Sequence, residues 1–143
     1  MKTIALRFAE NFAPQEGTIR AHEQLIEEIG YVWYGKLGAP ISNSIKEEIL
    51  KSDTPRILLI QSGKFKRYWA YVDKMQKDVP PINEIPEYYR YDALKFHYWF
   101  KITKFVEAPS DVMNRCTVIS SNMPLSESSS RSLSPYFKIS YEE

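Results

Sequence analysis

Residues 56–72 read RILLIQSGKFKRYWAYV, and this stretch predicts the β-hairpin around which the rest of the chain is arranged. The run RILLIQ is almost continuously apolar, which is typical of a strand buried on both faces near the middle of a sheet. Ser62-Gly63-Lys64 has the composition of a turn, and YWAYV then supplies the returning strand. The hairpin is therefore expected at the centre of a larger sheet.

On the N-terminal side of the hairpin the sequence predicts two strands and two short helices. Strand-like runs occupy residues 3–8 (TIALRF) and 31–36 (YVWYGK). Between them, residues 18–29 place apolar side chains at helical spacing, with Thr18 as the expected cap and Gly30 as the stop. The S-x-x-E pattern at Ser44 predicts a capping box that opens a second helix ending at Leu50.

On the C-terminal side the prediction is mainly β. Residues 97–106 (HYWFKITKFV) and 135–141 (PYFKISY) alternate as strands do, and residues 117–120 indicate a short strand or a buried turn. Residues 120–134 are rich in serine and are expected to form a flexible loop. The fold class that results is α+β, with about six strands and two or three short helices, in a mixed sheet that curls towards a barrel.

Length and composition narrow the function classes only slightly. The 143 residues fit a single domain over 1–143, and the formal net charge of +1 means that nucleic-acid binding has to rest on local basic patches. One cysteine cannot form an intramolecular disulfide, which agrees with a reducing, cytoplasmic location. No signal peptide and no membrane span are predicted, so no membrane partner is expected.

The sequence gives little support for catalysis. It contains no G-x-S-x-G motif, no P-loop and no pair of carboxylates with nuclease spacing. His22 and His97 lie far apart in sequence, and with a single cysteine they do not form a zinc motif. His22 is interpreted as a core histidine with a hydrogen-bond partner. We therefore expect a protein that is not an enzyme and has no catalytic residues, no cofactor and no bound metal.

The order of these segments resembles the PUA-like superfamily, in particular its EVE and YTH branches. The resemblance extends over roughly residues 3–107 and rests on GYVWYGK, RILLIQSGKFKRYWAYV and HYWFKITKFVE in that order. It implies a domain that binds a modified base in an aromatic pocket. YTH domains take N6-methyladenine in RNA, and EVE-like domains of methylation-dependent restriction systems take modified cytosine or adenine flipped from DNA.

The same resemblance suggests which residues form the site. Trp33 lies where the YTH pattern has its first cage tryptophan, and Asn11 is a match for a polar contact to the base edge. The loop after the hairpin, which usually supplies the second wall, has no tryptophan, so Tyr88 or Tyr89 is expected there. The residue after the tryptophan is a serine in the YTH pattern and is Tyr34 here.

The chemistry of such a site adds further candidates. Aromatic faces offset the unstacking of a base, and amide or hydroxyl groups pair with its edge. Ser42 and Asn43 are the additional candidates for the base edge, together with Gln61. The candidates for phosphate contacts are Lys36, Lys64, Lys66 and Arg67. Since neighbouring strand residues face opposite ways, only one of Trp33 and Tyr34 can line a given pocket.

The leading hypothesis is a non-catalytic reader of a modified base in nucleic acid. DNA is favoured over RNA, with an association with bacterial defence, and an effector protein or fused nuclease domain is a possible partner. Two alternatives stay open. One is a domain that binds a small nucleotide or other flat metabolite, and the other is an interaction subunit without a ligand that uses residues 88–91 as its anchor.

Overall fold

The computed structural model describes residues 1–8, 13–61 and 66–142, and these form one seven-stranded mixed sheet with short helices. The strands are β1 (Lys2–Arg7), β2 (Val32–Lys36), β3 (Arg56–Ile60), β4 (Tyr68–Gln76), β5 (Tyr98–Glu107), β6 (Cys116–Val118) and β7 (Tyr136–Tyr141). The α-helices are α1 (Thr18–Ile29), α2 (Asn43–Leu50), α3 (Val112–Arg115) and α4 (Leu125–Arg131), and the 3₁₀ helices are η1 (Ile82–Glu84) and η2 (Glu87–Lys95). The α+β class is confirmed, but the described part of the chain has more strands and helices than predicted.

The strand order is β2-β5-β4-β3-β1-β7-β6. The pair β1–β3 is parallel and every other pair is antiparallel, so the sheet is mixed as expected. The predicted hairpin is β3 and β4, in which Leu58 lies opposite Trp69. β3 is the middle strand of the seven, and Ile57 to Ile60 are all buried, which explains its continuous apolar run.

The sheet curls around its main core. Side chains from five strands meet on one face with those of α1 and α2, including Ile4, Leu6, Val32, Ile57, Leu59, Phe100, Ile102, Leu25 and Ile49. The curl brings β2, one edge of the sheet, close to β7, which lies five positions along the strand order. The Nζ atom of Lys36 on β2 is 5.2 Å from the ring centroid of Tyr136 on β7. We call the place where β2 lies close to β1 and β7 the seam.

The two predicted helices on the N-terminal side form, with corrections at their caps. α1 covers residues 18–29 as predicted, and Gly30 ends it at φ +92° with its N–H bonded to the carbonyl of Ile26. Thr18 is the first helical residue and not the cap, which is Gly17. α2 begins earlier than predicted, because Ser42 and not Ser44 is the cap, with its Oγ accepting a hydrogen bond from the backbone N–H of Ile45.

The serine-rich segment at 120–134, which we expected as a flexible loop, contains α4. Leu125 is fully buried and anchors this helix to the second face of the sheet. Arg131 and Glu127 form an ion pair of 2.9 Å one helical turn apart. Serine hydroxyls in the segment bond to the backbone, as Ser130 does to the carbonyl of Glu127 at 2.7 Å. This ion pair and these side-chain hydrogen bonds therefore stabilise the helix despite the low helix propensity of serine.

The longest α-helix of the described residues is α1, with 12 residues. In the three described ranges, no helix combines the length and apolar character that a transmembrane span requires.

Candidate functional site

A cavity of about 550 Å³ opens at the seam, and it is the best candidate for a binding site. β1 and β2 form two of its walls, α1 forms a third, and η2 covers it. Its ring-bearing side chains are Phe8, His22, Tyr34, Tyr88, Tyr89 and Phe96, and its charged side chains are Arg7, Lys36 and Asp92. A mostly aromatic cavity with few polar groups, of this size, is typical of sites that hold one small, flat ligand.

Strand alternation decides which ring of β2 reaches the cavity. Tyr34 lines it, and the neighbouring Trp33 points to the opposite face of the sheet. Trp33 is only 4% exposed, packs against Ile85 and Trp99, and donates from Nε1 to the carboxylate of Glu84 at 3.0 Å. The structure therefore places the indole of Trp33 behind the cavity wall, and not in the lining where the predicted stacking role would need it.

The predicted pair Tyr88 and Tyr89 does line the cavity. Both belong to η2, which is kinked at Tyr89 (φ −124°, ψ 21°), and their rings meet edge to face at 4.8 Å. Tyr89 is 8% exposed, and its ring also contacts Phe96 and Trp99. The two tyrosines connect the cavity to the cluster behind it that contains Trp33 and Trp99.

His22 confirms the interpretation of a core histidine with hydrogen-bond partners, and it also lines the cavity. It is 1% exposed. Its Nδ1 lies 2.8 Å from the carbonyl oxygen of Thr18, and its Nε2 lies 2.8 Å from the hydroxyl of Tyr89. That hydroxyl in turn donates to the carbonyl of Trp33 at 3.0 Å. A buried chain of three contacts therefore ties α1, η2 and β2 together at the cavity wall.

When His22 is neutral, the three contacts have too few hydrogens for all of them to be hydrogen bonds. A neutral imidazole and a phenol bring two hydrogens, while the three contacts end in two carbonyls that can only accept. The imidazolium would supply the third hydrogen, but burial lowers the pKa of His22 from 6.5 to about 4. Burial also raises the pKa of Tyr89 well above its ordinary value. Both ring nitrogens of His22 already have partners, so this residue supports the wall of the cavity more than it offers atoms to a ligand.

Lys36 brings a buried positive charge to the cavity. It is 4% exposed, and its Nζ donates to the carbonyls of Leu37 at 3.1 Å and Ala39 at 2.8 Å. Desolvation lowers its pKa. Among the described residues no carboxylate forms an ion pair with it. An ammonium group in this position can pair with an anionic group of a ligand, as was predicted for a phosphate.

The other predicted basic residues lie elsewhere. Lys66 is exposed and lies 3.9 Å from the carboxylate of Glu107, and neither Lys66 nor Arg67 is among the residues that line the cavity. Asn11 and Lys64 lie outside the described residues. Of the residues predicted to contact phosphate, the structure therefore places Lys36 at the cavity and Lys66 and Arg67 away from it.

The predicted base-edge residues Ser42 and Asn43 are not part of the cavity lining. Both are exposed at the start of α2, where Ser42 caps the helix and Asn43 is its first residue. Their position follows from helix capping, which is a frequent reason for a serine or asparagine to precede a helix. The structure thus places both residues apart from the cavity, at the start of α2.

Several cavity residues were not predicted from the sequence, namely Arg7, Phe8, Asp92 and Phe96. Arg7 and Phe8 close the first strand, and Asp92 and Phe96 belong to the region around η2. No short motif joins them, because the curl of the sheet brings together segments that are far apart in the chain. One available signal was the run of aromatic residues between 88 and 99, which has a higher density of rings than one strand needs.

The described residues contain no group of three or more histidine, cysteine, aspartate or glutamate side chains that could hold a metal ion. Cys116 is fully buried on the second face of the sheet, and burial raises the pKa of its thiol to about 12. A thiol with that pKa is protonated at neutral pH and is a poor nucleophile.

Comparison with known proteins yields one match. A family model described as Pua-like matches residues 4–138, which is nearly the whole chain. Searches of the curated proteins and of the solved structures find no significant match.

Proposed function

Because the chain belongs to the Pua-like family, we propose that it binds nucleic acid and takes one modified base into the cavity at the seam. The observation that carries the proposal is the composition of the cavity, in which the rings of Tyr34, Tyr88 and Phe96 share a wall with the buried ammonium group of Lys36. Aromatic rings can stack on the faces of a base, and the ammonium group can pair with its phosphate. The proposed role is binding without catalysis.

The energetics of base binding fit this arrangement. Taking a base out of its stack costs a few kcal/mol, and stacking on an aromatic side chain returns about 1–3 kcal/mol per base. A methyl group on the base adds apolar contact with the rings at about 25 cal/mol per Å² buried. The ring of Tyr34 packs against the ring of His22, with 5.2 Å between their centroids. The ring proposed to stack on the base is therefore held in position before the ligand binds.

Asp92 is the residue we assign to the polar edge of the base. It lines the cavity from η2, and its carboxylate can accept hydrogen bonds from amino or imino groups. Its Oδ1 is 2.9 Å from Nζ of Lys95, in a pair that is largely exposed and therefore exchangeable with solvent and ligand. This acceptor can pair with an N–H donor on the base edge, such as the amino group of cytosine or adenine.

The experiment is a fluorescence anisotropy titration with labelled single-stranded DNA and RNA. Each oligonucleotide carries one central base, unmodified or as 5-methylcytosine, 5-hydroxymethylcytosine or N6-methyladenine. We expect one modified base to bind at least about tenfold more tightly than its unmodified form. We expect Tyr34→Ala to remove this preference and Lys36→Gln to weaken binding of every sequence to a similar degree. DNA is the expected backbone.

Trp33→Phe is the matched control, because Trp33 is adjacent to Tyr34 in sequence but packs on the other face of the sheet. This variant should keep both affinity and preference. Equal binding of modified and unmodified oligonucleotides by the folded wild-type protein would contradict the proposal. So would a loss of preference in Trp33→Phe with none in Tyr34→Ala.

A second candidate function is the binding of a free nucleotide or similar flat anion. The observation that favours it is that Lys66 and Arg67 do not line the cavity, which leaves Lys36 as its most buried cation. Salt dependence separates the two functions. The logarithm of affinity for a nucleic acid falls by about 0.7 per phosphate contact with the logarithm of salt concentration, so a strand with several contacts shows a steep slope. A mononucleotide held by one cation shows a shallow slope.

A further inference from the structure

A second depression of about 400 Å³ lies beside the cavity, between α4 and the paired strands β6 and β7. Its lining includes the serines Ser120, Ser121, Ser128, Ser132 and Ser134 and the cations Arg131 and Lys138. We call it the serine groove. Its floor is apolar and is formed by side chains such as Val118 and Phe137. Hydroxyls together with lysine and arginine are the groups that proteins use to hold the phosphates and sugars of nucleic acids.

The serine groove and the cavity share a wall. Pro135 lines the cavity, while its neighbours Ser134 and Tyr136 line the groove. The ring of Tyr136 is half-buried and lies 5.2 Å from Nζ of Lys36, which is on the cavity side. The two depressions thus meet at Pro135, directly before β7, so a polymer bound in one has the other as its neighbour.

Arg7 fixes this wall in place. Its guanidinium donates to the backbone carbonyls of Ser129 at 2.8 Å, Ser132 at 2.6 Å and Ser134 at 2.9 Å. Three charge-assisted bonds from one side chain hold the segment after α4 against the end of β1. The groove is therefore a formed surface with a defined position relative to the cavity.

Two cations line the groove, and Lys138 is the one that has no ion pair with the described residues. Arg131 is paired with Glu127 at 2.9 Å. Lys138 is half-buried and makes no ion pair or side-chain hydrogen bond with the described residues. No carboxylate is among the described residues that line the groove. Lys138 is therefore placed to meet an anionic group from outside the chain.

We propose that the serine groove binds the sugar-phosphate of the nucleotide next to the base in the cavity, with Lys138 as its principal phosphate contact. The inference rests on the proposed function, since it assumes that a base occupies the cavity. It adds the direction in which the strand leaves the cavity, across Tyr136 and towards α4.

The test compares ligands of different length on the same variants. The probes are the free nucleosides of 5-methylcytosine and N6-methyladenine and nine-nucleotide DNA and RNA strands with the same base at the centre. Binding is measured by calorimetry at two salt concentrations. In Lys138→Gln we expect affinity for the strand to fall about threefold to fivefold and the salt slope to decrease by about 0.7, because one phosphate contact is lost. Affinity for the free nucleoside should stay unchanged.

Lys51→Gln is the matched control, because Lys51 is an exposed lysine at the end of α2 and is not part of either depression. It should bind every probe as the wild type does. Lys138→Glu extends the series, and charge reversal should weaken strand binding further. Circular dichroism of each variant checks that it is folded.

The outcomes separate the two proposals. If the nucleoside binds in a Tyr34-dependent manner while Lys138→Gln and Lys138→Glu bind strands like the wild type, the groove is not a phosphate site and the base-binding proposal stands. If neither nucleosides nor strands bind to the folded wild-type protein, both proposals are overturned. If Lys138→Gln weakens nucleoside and strand equally, the residue acts on the cavity itself and the inference is also overturned.

Discussion

His22 shows most directly how burial at the cavity changes the chemistry of a single residue. It is enclosed by the rings of Tyr34, Tyr88, Tyr89 and Phe105 from β2, η2 and β5. Within the described part of the chain, its imidazole is hydrogen-bonded only to neutral groups, the carbonyl of Thr18 and the hydroxyl of Tyr89. Desolvation therefore dominates and keeps the ring neutral at pH 7 by lowering its pKa.

The lowered pKa of His22 predicts a loss of stability in mild acid. The folded-state pKa is about 4 against 6.5 when unfolded, so between these values the unfolded chain binds more protons than the folded one. The free energy of unfolding should fall by about 3 kcal/mol from pH 6.5 to pH 4 through this group, at 1.36 kcal/mol per pKa unit. Urea unfolding across this range measures it.

In His22→Gln, the part of the fall in unfolding free energy that comes from His22 should disappear, because glutamine does not titrate. His97→Gln is the control, since His97 is exposed and lies directly before β5. This variant should keep the wild-type slope. A slope in His22→Gln that is as steep as in the wild type would show that other groups cause the acid sensitivity.

Among the secondary-structure elements, β2 and η2 must come close together to form the cavity wall, and Gly35 permits the approach. A Cβ at Gly35 would lie 2.8 Å from Cγ and 2.9 Å from Cδ1 of Phe96, which are ring atoms with little freedom to move. Its backbone needs no left-handed conformation, so the reason for glycine here is space. Phe96 itself lines the cavity.

Gly35→Ala is therefore expected to displace Phe96 and reshape the cavity. Overpacking of this kind costs about 1–3 kcal/mol of unfolding free energy, and ligand affinity should fall with it. Gly30→Ala is the control. Gly30 has φ +92°, and a Cβ added there would have no atom within 4 Å, so alanine strains the end of α1 without touching the cavity. That strain costs about 1 kcal/mol. Equal loss of affinity in both variants would mean that stability alone governs binding.

The elements that could be predicted from sequence are those with strong local signals. α1 has apolar residues at helical spacing and a glycine stop, and the pair β3–β4 begins with a continuous apolar run. The turn predicted at residues 62–64 lies outside the described residues. α4 could not be predicted, because its stability comes from the buried Leu125 and from Arg7, which lies at the other end of the chain and bonds carbonyls at and after the end of the helix.

The candidate site was predictable only in part, for a similar reason. The alternation rule correctly required that only one of Trp33 and Tyr34 line a pocket, but it could not say which one. That choice depends on which face of β2 the curled sheet turns towards β1, and β1 and β2 are not hydrogen-bonded neighbours. Tyr88 and Tyr89 were named because the resemblance places a second wall in the loop after the hairpin, where this chain has tyrosines and no tryptophan.

For the whole molecule, the seam is the place where the sheet fails to close. β2 is an edge strand, and it meets β1 and β7 through the cavity and not through a ladder of hydrogen bonds. A ligand that contacts Tyr34 on β2, Arg7 on β1 and Tyr88 on η2 would join three elements that are otherwise connected mainly by side chains. Binding at this position should therefore stabilise the folded state as a unit.

Thermal unfolding provides the corresponding prediction. A ligand at about 100 times its Kd adds about 2.7 kcal/mol to the free energy of unfolding, which for a domain of this size raises Tm by about 5–10 °C. We expect this shift with an oligonucleotide that carries the preferred modified base, and a shift about half as large with an unmodified form that binds tenfold more weakly, at the same concentration. Tyr34→Ala should lose the difference between the two ligands. A shift that persists in Tyr34→Ala but disappears when Lys66 and Arg67 are replaced by glutamine would instead place the nucleic acid beside Lys66 and Arg67, outside the cavity.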